Sequence, residues 1–389
     1  MQLLTEERRL IQDAAREFTM KRVLPIANKL DPEKGMIPRE LIDEMAELGY
    51  FSILIPEEYG GLGLGAAEYC IVAEELARGW MSVASLIARG NGLIGALKHL
   101  TPERKKEYLP RMARGEFLGA FALSEPNAGS DVANISCRAV RVGEHWEITG
   151  SKYWCTFADQ SDFIVVIART DPKVDPRARH KGLSAFMVEK PRGMLPQGCK
   201  GSVIPKIGYF GWTTWELAFD GCRVPATHMI GEECRGFYLA TAGLETARAH
   251  TAARAIGLAR GALEDSLAYA RERNQFGCAI GEFQAIRFKL ATMATQIEAA
   301  RALMHAVCER IDQGQRCDTE AAMVKLFATE MAEQVTSEGI QIHGGAGYTT
   351  HFAVERHWRD ARLTKIFEGT SEIQQRIISD ALLGKVAAA

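Results

Sequence analysis

Glu368 is the residue of this 389-residue chain whose setting best suits a general base. It lies in the run KIFEGTSEIQ (residues 365–374), on a Gly-Thr loop ahead of a helical pattern, with apolar Ile366 and Phe367 just before it. Ser371 and Gln374, three apart, read as a capping box, and Ile377, Ile378, Ala381 and Leu382 continue at helical spacing. A carboxylate in a partly apolar pocket has its charged form disfavoured, which makes it a better proton acceptor. On these ten residues alone, a surface acid favoured by the helix dipole is the competing reading.

Four further runs could hold a polar, planar or phosphate-bearing ligand. FALSEPNAGSD (residues 121–131) places hydroxyls and backbone donors after an apolar strand end. KYWCT (152–156) adds an indole that could stack on an aromatic ring, with a hydroxyl beside it. RERNQFG (271–277) supplies fixed cations and a phenylalanine, and QIHGGAGY (341–348) a pair of glycines. Arginine presents donors suited to pyrophosphate, and paired glycines let backbone approach it closely. Taken singly, a capped turn, a core tryptophan and two helix termini account for these runs equally well.

The elements that must position them fall into three blocks. The first third is helical. Thr5 is placed to cap a helix with Leu10, Ile11, Ala14 and Phe18 on one face. Pro38 opens another, with Leu41, Met45 and Leu48 inward and Gly49 as its stop, and helical pattern resumes over 66–100. The glycines between, at 60, 61 and 63, precede no strand–helix unit, which excludes a dinucleotide fingerprint. From about 118 to 226 the period turns to two, in short runs separated by Gly, Asp and Pro. Long helical patterns then cover 237–273, 283–313, 319–339 and 371–383. The expected fold is α+β and multidomain: an N-terminal helical domain (1–118), a central β-barrel domain (119–228) and a C-terminal four-helix bundle (229–389).

Composition narrows the function. A net charge of −2 gives no basic face for nucleic acid or anionic membrane. No run approaches the ~20 apolar residues of a membrane span. Nine scattered cysteines without a CxxC read as reduced thiols, and no His pairs with Cys or Glu at metal-ligand spacing. Residues 1–7 lack the basic and apolar regions of a targeting segment. A cytoplasmic enzyme is expected, or a mature mitochondrial-matrix form if the source is eukaryotic.

With these five motifs in order, the sequence strongly resembles the acyl-CoA dehydrogenase family over nearly its whole length. That resemblance implies FAD, an acyl-CoA thioester substrate, and electron transfer to an electron-transferring flavoprotein. It implies that Glu368 is the catalytic base, with Gly369 beside the substrate. Phe121, Leu123, Ser124, Trp154 and Thr156 would surround the isoalloxazine, and Ser130 would touch the CoA or flavin phosphates. Thr370 and Glu372 would hold the ADP half of the same FAD, while Arg273, Phe276, Gln341 and Gly345 would reach that of a neighbouring subunit. A homotetramer, as a dimer of dimers, is the implied assembly. Glu245 and Arg248 match positions lining the thioester channel. The reaction implied is α-proton abstraction with hydride loss from the β-carbon, giving a trans-2-enoyl-CoA.

Two features bear on the substrate. Phe210 stands where many relatives carry Arg, and Trp212 where a small residue is common, which sets the chain apart from the best-known straight-chain subgroups. Arg89 is the one charge in residues 81–97 and would share a helix face with Leu86, Leu93 and Ala96. An arginine there cannot shed its charge and must find an acceptor. A substrate's distal carboxylate, an internal salt bridge and an exit to solvent are the candidates. A short-chain, branched or dicarboxylyl-CoA is therefore expected. The alternatives are an acyl-CoA oxidase, a decarboxylating or desulfinating relative, and a CoA-binding scaffold without turnover.

Overall fold

The computed structural model describes residues 4–384, except the side chains of residues 176 and 177. The N-terminal block contains α1 (Glu6–Phe18), α2 (Leu24–Leu30), α3 (Arg39–Glu47), α4 (Ala66–Gly79), α5 (Met81–Leu86), α6 (Ile94–Leu97) and α7 (Pro102–Ala113). Thr5 caps α1 as expected, but the helix is rotated: Ala15 and Phe18 are buried while Leu10 and Ala14 face solvent. In α3, Leu41 and Met45 are buried and Leu48, the C-cap, is exposed. The helical pattern of 66–100 is interrupted because Asn91 turns inward. Its amide donates to the Tyr50 and Ile87 carbonyls, each at 2.8 Å, and accepts from Leu54 N–H at 2.8 Å. Arg89 consequently ends a tight turn, Ile87–Arg89, rather than sitting mid-helix.

The central block is one eight-stranded sheet. Its strands are β1 (Gly119–Ala122), β2 (Arg138–Val142), β3 (His145–Thr156), β4 (Phe163–Arg169), β5 (Leu183–Glu189), β6 (Cys199–Val203), β7 (Thr214–Pro225) and β8 (Met229–Ile230). They run β6-β7-β3-β2-β4-β5-β8, with β1 parallel to β4. Hydrogen-bond pairing among the described residues leaves β6 and β8 as ends, so the expected barrel is not closed. β4 is buried on both faces. Phe163, Val165 and Ile167 pack with Tyr108, Leu109 and Met112 of α7, whereas Ile164, Val166 and Ala168 pack with Phe186, Leu217 and Phe219. Each such side chain contributes about 1.5–3 kcal/mol when fully buried, and the period-two alternation joins the sheet to the first helices.

After α8 (Gly236–Thr241), Gly243 takes φ +82° and divides the long pattern of 237–273. The bundle then comprises α9 (Leu244–Glu272), α10 (Gln284–Asp312), α11 (Asp318–His343), α12 (Val354–Thr364) and α13 (Ser371–Leu383). A small hairpin, β9 (Asn274–Gln275) and β10 (Cys278–Ala279), follows α9. α4 packs tightly on α9: a Cβ at Gly257 would lie 2.3 Å from the Glu74 carbonyl oxygen. Their buried charges are paired, Arg260 with Glu75 at 2.5 Å and Arg78 with Glu264 at 2.7 Å. α12 had no counterpart in the sequence reading. Its Arg359 pairs with Asp31 and Glu355, and Asp360 accepts from Tyr209 N–H at 2.6 Å, fixing the loop after β6.

Candidate active site

The loop between α12 and α13 presents Glu368 by an uncommon backbone path. Glu368 and Gly369 both take left-handed conformations, φ +54° and +90°. For a residue with a Cβ this costs roughly 1–2 kcal/mol. Two donors on one carbonyl hold the path in place: Lys325 Nζ at 2.7 Å and Gln374 Nε2 at 2.9 Å both donate to Gly369 O. The α13 N-cap is Thr370, whose hydroxyl accepts from Ile373 N–H, so the expected capping box shifts by one residue. Ser371 instead donates to Glu330 at 2.7 Å.

So turned, the Glu368 carboxylate reaches α9. Thr251 Oγ1 donates to it at 2.6 Å and Arg254 Nη2 at 2.7 Å. The base candidate is thus held by a guanidinium and a hydroxyl rather than standing in an apolar pocket. Arg254 is itself almost wholly buried. It donates to Ser85 Oγ at 2.7 Å and to Thr251 Oγ1 at 2.9 Å, and lies 4.7 Å from the Phe367 ring centre. The Glu368 side chain stays a third exposed, and its N–H has no hydrogen-bond partner among the described residues.

Arg89 lies within electrostatic reach of the same carboxylate. Its guanidinium packs over Trp212 at 5.0 Å and Phe157 at 5.7 Å. It makes no hydrogen bond or ion pair among the described residues, and its Nε is buried without an acceptor. Burial pulls it below the usual arginine range, with Glu368 attracting and Arg254 repelling it. The internal salt bridge weighed from the sequence is absent among the described residues. Buried Tyr69 and Tyr209 complete the surroundings, both pushed up by burial and so neutral.

Beyond Phe157 the site continues onto the sheet. β3 and β7 shift register between Lys152 and Cys155, and this bulge sets Trp154 at φ +63° with its indole 57% exposed. Tyr153 N–H donates to Ser124 O at 2.8 Å, drawing the end of β1 beside the bulge. Phe121, Leu123, Ser124 and Thr156 are therefore neighbours of Trp154, each partly exposed. Beneath them the buried Glu125–Lys152 pair, at 2.9 Å, ties Leu123 O, Ser136 and Cys137 together. Ser130 lies exposed on the following turn.

Comparison with known proteins decides the family. The N-terminal, middle and C-terminal domain models of acyl-CoA dehydrogenases match residues 5–116, 120–222 and 234–383. The chain belongs to the acyl-CoA dehydrogenase family. It is 40% identical to the (2S)-methylsuccinyl-CoA dehydrogenase of Cereibacter sphaeroides, over 98% of this chain and 70% of that one. Its structure resembles butyryl-CoA dehydrogenase from Megasphaera elsdenii (TM-score 0.92, 35% identity, 98% and 100% of the two chains). It also resembles a glutaryl-CoA dehydrogenase from Mycobacterium smegmatis in complex with FADH2 (TM-score 0.91, 28% identity, 99% and 97% of the two chains).

Acyl-CoA dehydrogenases are FAD-dependent oxidoreductases, and this chain is one of them. The sheet edge fits that cofactor: an exposed indole, two half-buried apolar side chains and two hydroxyls form a surface suited to a planar aromatic ring. A second cluster lies elsewhere. Arg273 caps the C-terminus of α9, and Tyr269, one turn earlier, stacks on His343 at the end of α11. Arg273, Phe276, Gln341 and Gly345 thus gather at one end of the bundle, all exposed, Phe276 at 96%. Lys325, which reaches the Glu368 loop, is sixteen residues earlier on α11, about 24 Å away.

Glu245 and Arg248 have different surroundings. The Glu245 carboxylate accepts from Cys317 N–H at 2.7 Å, at the start of α11. Arg248 is buried, lacks a hydrogen bond or ion pair among the described residues, and is pulled below the usual arginine range by burial. Thr370 serves as helix cap and Glu372 is exposed in the first turn of α13. The sequence reading missed Thr251, Arg254 and Lys325. Arg254 had a usable signal, being the lone Lys, Arg, Asp or Glu in residues 249–259, the same pattern that singled out Arg89.

Proposed function

We propose that the enzyme dehydrogenates a short acyl-CoA bearing a distal carboxylate. The observation that carries this reading is Arg89, a sheltered cation without an anion, beside the candidate base. A half-buried guanidinium whose Nε has no acceptor gains from an anionic partner, and a substrate carboxylate supplies one. The likeness to a methylsuccinyl-CoA and a glutaryl-CoA dehydrogenase points the same way.

In this reading Glu368 takes the α-proton, and its free N–H donates to the thioester oxygen as enolate charge develops. Bound FAD supplies the acceptor for the β-hydride. Trp154, Thr156, Phe121, Leu123 and Ser124 orient the flavin ring, with Ser130, Thr370 and Glu372 toward its phosphates and ADP half. Arg248, unpaired on α9, faces the CoA side with Glu245 fixed behind it, and Gly369 borders the thioester. The exposed cluster of Arg273, Phe276, Gln341 and Gly345 reaches the FAD of a second subunit, in a homotetramer. Electrons leave to an electron-transferring flavoprotein, an inference from family membership. A cytoplasmic setting accords with nine free cysteines.

The deciding experiment is anaerobic titration of the purified flavoprotein with methylsuccinyl-, glutaryl- and butyryl-CoA. Bleaching of the flavin band by a diacid thioester at much lower concentration than by butyryl-CoA is expected. Preferential bleaching by butyryl-CoA overturns the reading.

A further inference from the structure

Arg254 and Glu368 pose a problem for the chemistry. A carboxylate paired with a guanidinium is a poorer proton acceptor than a free one, yet this pair occupies the reacting position. Arginine cannot release the carboxylate by losing its proton. Some other anion must take its place.

We propose that Arg254 exchanges partners: without substrate it holds Glu368, and with a dicarboxylyl-CoA bound it joins Arg89 on the distal carboxylate and frees Glu368 for the α-proton. This rests on the dicarboxylyl reading above and adds to it a device by which the substrate's own charge switches on the base.

Four observations support the exchange. Arg254 does not depend on Glu368 for its position, because Ser85 and Thr251 hold it at 2.7 and 2.9 Å. Glu368 is the more accessible partner, its side chain a third exposed on a loop, whereas Arg254 is almost fully buried on a long helix. The charges around the site do not balance. Glu368 is the one carboxylate acting on both Arg89 and Arg254, whereas Lys325 also has Glu330 and Glu372 in reach. The other titratable groups around the two arginines add no anion: burial leaves Tyr69, Tyr209 and Cys155 protonated and His250 neutral. Finally, in a four- or five-carbon diacid the carboxylate lies only two or three bonds from the α-carbon. A substrate placed for Glu368 therefore brings its carboxylate to the guanidinium that Glu368 occupies.

The test uses the FAD-loaded enzyme with methylsuccinyl- and glutaryl-CoA, each beside its neutral terminal amide, in anaerobic stopped flow. Arg254→Gln should weaken apparent binding of the diacids at least tenfold and leave the amides within twofold. Its limiting rate of flavin reduction with the amides should rise severalfold, because the base is no longer held. A readout without turnover comes from Glu368→Gln, titrated by its flavin absorbance. There the diacids should bind about tenfold tighter than to wild type, with the amides unchanged, since Arg254 has lost its competing partner. Arg254→Lys, which keeps the charge, should retain part of the diacid preference; FAD content and melting temperature establish that each variant is folded. If Arg254→Gln slows diacid and amide equally while Arg89→Leu alone removes the preference, Arg254 only positions the base and the exchange is overturned. If wild type itself shows no preference for diacid over amide, the substrate reading fails as well.

Discussion

The two ends of α11 meet very different fates. Near its start, Lys325 is fully buried and reaches the Gly369 carbonyl, and the adjoining loop is closed by Gln374, Thr251 and Arg254. At its far end Gln341 and Gly345 stand open, with no atom within 4 Å of a Cβ built on Gly345, and exposed Phe276 nearby. One end is finished within a single chain, down to two consecutive left-handed residues held by hydrogen bonds. The other displays apolar and polar groups that no described residue covers. In the proposed reading, strain at the closed end falls on the base it aims, and the open end is the surface that meets a second subunit.

The comparison breaks first at Glu368. Glu368→Gln keeps the shape and the hydrogen bond from Thr251 but removes the proton acceptor. Flavin reduction by the best thioester should fall roughly 10²–10⁴-fold while FAD stays bound. Near-normal reduction would mean that the closed end is structural and that the base lies elsewhere.

Arg89 sharpens it next. Arg89→Leu removes the unpaired cation and leaves its aromatic bed of Phe157 and Trp212. Loss of about 2–5 kcal/mol is expected with a diacid thioester, against little change or a gain with butyryl-CoA. Equal losses on both would make this arginine a packing element.

How far the sequence reached follows from the same contrast. The five motifs located the loop of Glu368, the sheet edge and the open cluster, because short runs with special residues mark turns and termini. Arg254 and Thr251 escaped because the first two-thirds of α9 is buried on nearly every side from Arg248 to Ala262. A helix without a polar stripe gives no phase, so the side chains that face a distant loop cannot be read from spacing. Trp154 reads as a core residue under strict alternation, and only the bulge after Lys152 turns it outward. α12 was passed over because its Arg356, His357 and Asp360 are buried in a charge network with Asp31 and Asp265 on other elements. Such pairing is settled in three dimensions.

A smaller effect separates the two ends by pH. Burial pulls the Lys325 ammonium from 10.5 to about 8, so the folded chain gives up this proton before the unfolded one does. Below about pH 8 both states hold it and the cost of burying the charge is fully present. Between about 8 and 10.5 the unfolded state holds more protons, so stability at this site rises with pH, by up to about 3 kcal/mol. Lys325→Met should flatten that rise relative to wild type, measured by urea unfolding at intervals from pH 7.5 to 10. Parallel curves would show that the closed end does not feel this charge.

The smallest effect is expected at the open end, and it tests what that end is for. Gln341 is exposed, so one hydrogen bond from it to a neighbour's cofactor is worth only about 0.5–1.5 kcal/mol. Gln341→Ala should loosen FAD by about threefold to tenfold in dialysis against excess competitor, with the melting temperature of the apoprotein unchanged because its side chain makes no hydrogen bond among the described residues. Phe276→Ser, which removes a 96% exposed ring, should act on the same surface and lower the stability of the assembly in sedimentation. The two readouts must move together, since a cofactor shared across subunits couples its own retention to their association. FAD loosening without any shift in sedimentation would place Gln341 against the cofactor of its own chain. The 24 Å that separates it from the Glu368 loop would then be spanned by one extended FAD, and the open end would be the remote half of a single site.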